Sequence, residues 1–316
     1  MSWLVTGGAG YIGLHVVRAL RAGGHDVVVL DDLSTGRADL VDVPLVRGSV
    51  HDADLLAATL REHDVRGVIH MAAKKQVGES VERPLYYYRE NVAGLMTLLE
   101  GMAAHGAEVL VFSSSAAVYG MPDVEFVTEQ TPTTPLSPYG ETKLVGEWLT
   151  RDAALATGLR FALLRYFNVA GAAAPELADT SVSNLVPMVF QRLAAGLPPL
   201  LFGDDYPTPD GSCVRDFIHV DDLAQAHVAA LEHLAGGGEN LLLNVGRGEG
   251  SSVREVLDVV GRVTGLPTEP EIRPRRAGDP PRVVASGEAI RSTLHWSAAR
   301  DLHDMVTSAW EGWQHR

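Results

Sequence analysis

The chain has 316 residues, 46% hydrophobic and 21% charged, which suits one large α/β domain with a smaller lobe or two modest domains. A formal net charge of -14 at pH 7 argues against nucleic acid and anionic membrane surfaces as partners, although an arginine cluster or a helix N-terminus can still hold a small anion. A single cysteine, Cys213, excludes an intramolecular disulfide and a cysteine zinc cluster, and it fits a reducing, cytoplasmic setting. No apolar run is long enough to span a bilayer, the opening MSWLVTGG enters a strand at once rather than a leader, and no metal site is expected.

The first half alternates strand and helix patterns. WLV (3–5) is a short apolar strand. Helical periodicity covers 11–24, with Ile12, Val16 and Leu20 on one face and a glycine pair at the end. DVVVL (26–30) is a buried strand by its β-branched run. A helix (52–63), a strand (67–71), a long helix (85–106) and a strand (108–114) follow, then a helix over 138–157 and a strand over 160–167. Strands separated by helices imply parallel pairing with right-handed crossovers, and their apolar character implies that both sheet faces are covered. The fold class expected is α/β: a doubly wound parallel sheet of Rossmann type with a smaller C-terminal α/β lobe. After Asn168 the texture shifts to loops rich in Pro, Gly and Asp, so residues 1–168 are assigned to a dinucleotide-binding domain. Residues 169–316 are assigned mainly to a substrate lobe, with some segments returning to the first domain and a cleft between the two.

TGGAGYIG places Gly7, Gly10 and Gly13 directly after the first strand and at the start of the first helix. A tight turn and close backbone approach to a pyrophosphate both require residues without Cβ, and the helix N-terminus offers free N–H groups to the phosphates. VVVLDD ends the second strand at Asp31, where a carboxylate accepts from an adenosine ribose and repels a 2′-phosphate, favouring NAD over NADP. The alternative without chemistry is a solvent-exposed acidic turn at Asp31 and Asp32.

SPYGETK sets Tyr139 and Lys143 one helical turn apart on a shared face. A tyrosine hydroxyl normally titrates near ~10, and a lysine ammonium and the positive nicotinamide ring nearby would favour its phenolate. Such a phenolate takes a proton from an alcohol while hydride leaves the same carbon. A serine from the strand end FSSS would hydrogen-bond the developing ketone. A surface pair at helical spacing is the plainer alternative.

TGGAGYIG, FSSSAAVYG, SPYGETK and RYFNVAGA, in this order, resemble the extended short-chain dehydrogenase/reductase family. KKQVGESVERPLYYYRENVAG, FGDDYPTPDGSCVRDFIHVDDLA and RPRRAGD narrow the resemblance to the UDP-glucose (UDP-galactose) 4-epimerases, over nearly the whole chain. The resemblance implies Ser115 as the active-site hydroxyl, Tyr139 as base and acid, and Lys143 as the lysine that holds the nicotinamide ribose and tunes the tyrosine. It implies cofactor contacts at Gly7, Gly10, Tyr11, Ile12, Gly13, Asp31, Asp32, Ser49, Val50, Met71, Ala72, Ala73, Lys75, Asn91, Ser113 and Tyr166. It implies substrate contacts at Lys75, Asn168, Asn184, Leu185, Leu201, Phe202, Arg215, Arg276, Asp279 and Val283, besides Ser115 and Tyr139. Arginines suit a diphosphate because guanidinium pairs bidentately with phosphate. The competing readings are an Arg215–Asp216 ion pair and a solvated basic turn at Arg276. Ser113 and Ser114 are expected to bond backbone at the strand end. The implied partners are a UDP-sugar and a second copy of the chain in a homodimer, and the implied setting is galactose metabolism.

Family members that dehydrate nucleotide sugars resemble one another in an Asp-Glu pair after the active-site hydroxyl. Here Ala116 and Ala117 stand there and can act as neither acid nor base, so dehydration is excluded and C4 epimerisation through a 4-keto sugar is expected. Ser49 and Val50 replace the usual Asp at the adenine contact, and Ser183-Asn184 replaces an asparagine pair. Val283 stands where glucose-restricted members carry a bulky tyrosine, which leaves room for 2-acetamido sugars unless Val283 packs in a differently shaped wall. The rival activities are a 4-epimerase of UDP-N-acetylhexosamine or UDP-uronate, a net-redox nucleotide-sugar dehydrogenase or reductase, and a non-catalytic NAD sensor.

Overall fold

The computed structural model describes residues 2–276 and 278–315. Two contact units emerge, each from three chain segments. The first comprises 1–118, 135–165 and 224–243; the second comprises 119–134, 166–223 and 244–316. The unit boundary nearest residue 168 lies between residues 165 and 166. Segment 119–134 belongs with the second unit and 224–243 with the first, because long-range packing, not chain order, decides membership.

The first unit opens with β1 (Ser2–Thr6), buried throughout, followed by α1 (Tyr11–Ala22) and β2 (Val27–Asp31). The second strand thus begins and ends one residue later than its pattern suggests and carries Asp31 itself. β3 (Leu45–Arg47), α2 (Ala53–Glu62) and β4 (Val65–His70) follow. Asp52 caps α2 by accepting from the Leu55 amide at 3.0 Å. The long helix expected over 85–106 is not uniform. α3 (Val77–Glu82) and α4 (Pro84–Tyr87) lead into a π-helical turn, Tyr88–Ala93, before α5 (Gly94–His105). β5 (Val109–Ser115) and α6 (Pro138–Thr157) come next; Pro138 opens α6 and Ser137 caps it, accepting from the Gly140 amide at 3.2 Å. β6 (Arg160–Tyr166) ends this run.

The remaining elements are β7 (Asn168–Ala170), α7 (Leu185–Ala194), β8 (Leu200–Phe202), β9 (Val214–His219), α8 (Val220–Ala235) and β10 (Leu241–Val245). Then come β11 (Gly250–Ser252), α9 (Val253–Thr264), β12 (Glu271–Arg273), β13 (Arg282–Val283), α10 (Glu288–Leu294) and α11 (Leu302–Gln314). Ser252 and Glu255 close a reciprocal capping box at the start of α9.

β10, β6, β5, β4, β1, β2 and β3 form, in that order, a seven-stranded parallel sheet flanked by helices. The order reverses between β1 and β4, and in open α/β sheets ligands bind outside the carboxyl ends of strands at such a switch point. Leu4, Leu30, Val68 and Leu110 from the sheet pack with Leu56, Leu95, Leu98 and Met102 from α2 and α5 in one buried cluster. This burial of aliphatic strand residues by helices is the main favourable term for the fold.

The second unit has its own core. Phe190, Val256, Val260, Met305 and Val306 are buried there, and the rings of Phe190 and Trp310 lie 5.0 Å apart. β9 pairs with β11, β13 and β7. Asp216 on β9 accepts the backbone amides of Arg247 (2.9 Å), Gly248 (3.0 Å) and Ala285 (3.1 Å). Burial pushes its carboxyl up to about 6, against the lowering effect of those three bonds. No helix among the described residues is long and apolar enough to cross a membrane.

Candidate active site

The glycine turn sits where β1 meets α1. Gly7 takes φ +71, and a Cβ there would lie 2.7 Å from the Ala72 amide nitrogen. At Gly13 a Cβ would fall 2.2 Å from the Gly7 carbonyl oxygen and 2.7 Å from Gly8 Cα, so only glycine lets the helix start this close to the strand. Gly10 precedes α1 and, lacking a side chain, makes no side-chain cap there. These features fit a pyrophosphate cradle: close backbone approach and a helix start without a side-chain cap.

Asp31 is buried, and its two oxygens accept the Ala9 amide (2.9 Å) and the Leu33 amide (2.8 Å). It is not the exposed acidic turn of the alternative reading. Each carboxylate oxygen retains a second lone pair for a diol. Burial raises its pKa, and the two amides work the other way. Asp32 accepts the Ser34 amide at 2.9 Å. Ser49 Oγ accepts the His51 amide at 3.2 Å, and Val50 is buried against the helical core. Met71, Ala72 and Ala73 continue from β4, and the Met71 amide donates to the Thr6 carbonyl at 3.1 Å.

Of the two adjacent lysines, Lys75 is exposed, whereas Lys74 Nζ donates to Ser34 Oγ at 3.0 Å. Asn91, carried on the π-helical turn, is committed to structure. Its Oδ1 accepts the Lys74 amide (2.8 Å), and its Nδ2 donates to the Lys74 carbonyl (3.0 Å) and to Thr142 Oγ1 (3.0 Å). Asn91 thereby ties the lysine loop to α6 one residue from Lys143.

Tyr139 and Lys143 are buried on α6 facing the end of β5. Lys143 Nζ donates to the Ser113 carbonyl at 2.8 Å and lies 5.2 Å from the centre of the Phe112 ring. Burial lowers the lysine to about 8. Burial also raises Tyr139, and a hydrogen bond with Ser115 opposes that rise. Among the protein's own groups, desolvation is the larger influence on Tyr139 and the Ser115 contribution the smaller. Ser115 Oγ accepts the Ala117 amide at 3.2 Å. Ser113 and Ser114 do not bond backbone through their hydroxyls, contrary to expectation. Ser113 Oγ pairs with His227 Nε2 at 3.1 Å, and Ser114 Oγ donates to Glu147 Oε1 at 2.6 Å. β5 is covered by α6 and α8 side chains, so those hydroxyls find side-chain partners first. Ala116 and Ala117 form a 3-10 turn and offer no acid.

The nucleotide-side candidates lie in the second unit. Asn168 is exposed at the start of β7, and Tyr166 is half-buried just before it. Asn184 precedes α7 and donates from Nδ2 to Asp179 Oδ2 at 2.7 Å; Leu185 is the first residue of that helix. Leu201 is buried on β8. The Arg276 guanidinium stacks 3.8 Å from the centre of the Phe202 ring, which joins those two candidates. Arg215 does not pair with Asp216, because neighbours on a strand point to opposite faces. Its Nη2 instead donates to Asp279 Oδ1 (3.2 Å) and its Nη1 to the Pro280 carbonyl (2.8 Å). Val283 is buried and stands beside Arg215 in the β13–β9 register.

Glu147 and Arg165 escaped the sequence reading. Glu147 is one helical turn beyond Lys143 on the same stripe, and Arg165 is the one charge inside an otherwise apolar strand, FALLRYF. An acid on the helix face of Tyr139 and Lys143 and a lone base in a buried strand are the signal that would have found them.

The NAD dependent epimerase/dehydratase family matches residues 3–246. The chain belongs to that family. Among family relatives, a UDP-glucose 4-epimerase of Azospirillum brasilense is 47% identical over 98% of this chain and 91% of its own. The crystal structure of a UDP-glucose 4-epimerase from Brucella ovis in complex with NAD superposes with a TM-score of 0.95 at 42% identity, covering 98% of each chain. A UDP-Glc/GlcNAc 4-epimerase of Campylobacter jejuni gives a TM-score of 0.89 at 35% identity, covering all of this chain (100%) and 99% of its own.

Gly13→Ala would force the turn apart by steric clash with backbone, which cannot rotate away. The expected outcome is loss of bound NAD from purified protein, measured by release and quantification of the nucleotide, with far-ultraviolet circular dichroism unchanged.

Proposed function

We propose that this chain is an NAD-dependent 4-epimerase of UDP-hexoses that interconverts UDP-glucose and UDP-galactose. The observation that carries the reading is the set of Tyr139, Lys143 and Ser115 gathered at the carboxyl end of β5, beside two alanines that cannot drive dehydration. The family match and the named activities of the relatives support it.

The turn Gly7–Gly13, with Tyr11 and Ile12, would hold the pyrophosphate, and Asp31 the adenosine ribose. NAD held there would supply the acceptor for the C4 hydride and its return, and a positive ring charge. Tyr139 takes the proton from the C4 hydroxyl, and Ser115 donates to the same oxygen as it becomes a ketone. Lys143, fixed on the Ser113 carbonyl, stabilises the phenolate. When the keto sugar presents its other face, hydride returns to C4 and Tyr139 gives the proton back to O4. Atoms and electrons balance with no net oxidation, which separates this reading from a dehydrogenase that releases reduced cofactor. Asn168, Asn184, Arg215, Phe202 and Arg276 would take the nucleotide, with the guanidinium groups on the diphosphate.

The chain is also read as a cytoplasmic homodimer. Val81, Leu85, Met96, Trp148 and Leu155 are exposed on α3, α4, α5 and α6, with Leu85 at 77% and Leu155 at 88%. An apolar helical face of this kind suits a second copy of the same surface, since C2 interfaces are self-complementary.

A coupled assay with UDP-galactose, without and then with added NAD, tests the activity: turnover with no accumulation of reduced nicotinamide is expected, and silence in both would move the reading to a UDP-uronate or another nucleotide sugar. Tyr139→Phe is expected to lower kcat by about 10²–10⁴-fold with little change in KM. Lys143→Met raises the phenol pKa further, so the acid limb of the kcat–pH profile should shift to higher pH.

Val283 supports a broader sugar range. UDP-N-acetylgalactosamine is expected to turn over in the same assay, and Val283→Tyr to abolish that activity while sparing UDP-galactose. Light scattering should give the mass of a dimer, and Leu155→Glu with Trp148→Glu should give a monomer.

A further inference from the structure

Tyr139, Lys143 and Glu147 form one stripe along α6, and each meets one serine of the strand end. Tyr139 has Ser115 as its polar neighbour, Lys143 bonds the carbonyl of Ser113, and Glu147 accepts from the hydroxyl of Ser114 at 2.6 Å. Glu147 also receives Arg165 in the two-pronged geometry of guanidinium and carboxylate, from Nε to Oε1 at 2.8 Å and from Nη2 to Oε2 at 2.6 Å. The side chains of this pair are 1% and 4% exposed, so neither charge is relieved by water. Arg165 lies on β6 and Ser114 on β5, neighbours in the sheet. The carboxylate therefore grips two adjacent strands from the helix that carries the tyrosine and the lysine.

A buried ion pair is weak evidence for stability, because desolvation of both charges offsets their attraction, and apolar replacements of similar volume are often neutral or stabilising. What the pair supplies is direction and register. A helix packed only by apolar contacts can slide or rotate by fractions of an ångström, whereas a bidentate pair fixes two donors to two acceptors. Misplacement of a reacting group by about 1 Å is enough to lower a rate by about 100-fold.

We propose that Glu147, with Arg165 and Ser114, is the positioning element of the reaction, fixing α6 on β5 and β6 so that Tyr139 stays on Ser115 and Lys143 on Ser113. The proposal rests on the reading of Tyr139 as the proton carrier. Glu147 touches none of the reacting groups and acts through the helix. The pair is neutral as a whole, so it locks the register without adding net charge beside the buried phenol and ammonium.

The test is the double variant Glu147→Gln/Arg165→Met, which removes both charges at similar volume. It is expected to keep a cooperative melt and unchanged affinity for UDP by calorimetry, while kcat falls roughly 10–100-fold with KM little changed. That loss should vanish in the Tyr139→Phe background, because a positioning residue has nothing left to position. The alkaline titration of Tyr139, read as the absorbance difference between each protein and its Tyr139→Phe counterpart, should move to higher pH as Ser115 and the phenol are drawn apart. Ser114→Ala, which leaves the charges paired, should show the same changes at smaller amplitude and stands in if the double variant does not fold. Wild-type kcat per folded molecule with an unmoved Tyr139 titration would overturn the proposal, as would a kcat loss that persists in full beside Tyr139→Phe. If the wild-type protein inverts no UDP-sugar, the reading of the reaction falls, and the Tyr139 titration still decides the role of the pair.

Discussion

The seating of α6 on the end of β5 governs the rest of the first unit. A Cβ at Gly146 would lie 2.5 Å from the Phe112 ring, so the helix comes closer to the strand than side chains ordinarily permit. At that distance a serine, the shortest hydroxyl, reaches the helix, and the lysine reaches a backbone carbonyl. Asn91 also ties α6 to the lysine loop through Thr142, and Tyr88 on the π-helical turn donates to Glu141 at 2.7 Å. Helix, strand end and loop are thus braced from several directions by bonds between buried groups, where unpaired partners would be heavily penalised.

Desolvation is the common electrostatic theme. It raises Tyr139, lowers Lys143 to about 8 and lowers His70 to about 3. His70 therefore remains neutral, bonded to Thr6 Oγ1 at 2.8 Å and stacked on Phe112. The Lys143 ammonium lies 6.0 Å from the centre of the Tyr139 ring, and the neutral His70 adds no second positive charge. The same logic appears in the second unit, where three backbone amides hold the buried Asp216 carboxyl without a cationic partner contacting it directly in those bonds.

Local pattern made much of this legible. The helix over 138–157 and the glycine turn follow from caps, periodicity and residues without Cβ, and the motif spacing already grouped Tyr139, Lys143 and the serines. What stayed hidden depends on distant partners. The π-helical turn lies in a stretch of ordinary helix formers, and its register answers to Glu141 and Thr142 on another helix. Ser113 meets His227, far along the chain, which no window of periodicity can register. Arg215 has an acid next to it in sequence, yet strand geometry turns the two apart and supplies Asp279 instead. Between adjacent lysines, composition cannot tell which one is drawn to Ser34 and which remains exposed.

The interleaving of the two units bears on how the chain is made. Each unit draws on three separated segments, and the last piece of the first unit ends only at residue 243. On the ribosome, the sheet's edge strand β10 emerges after about half of the second unit's residues have already appeared. The early strands must wait with an unpaired flank on β6 until it arrives, a topology in which long-range pairing slows folding. Neither half can be excised as a contiguous fragment. Gene fusions or truncations near the midpoint would sever both units at once, so this protein is inherited, built and lost as a whole.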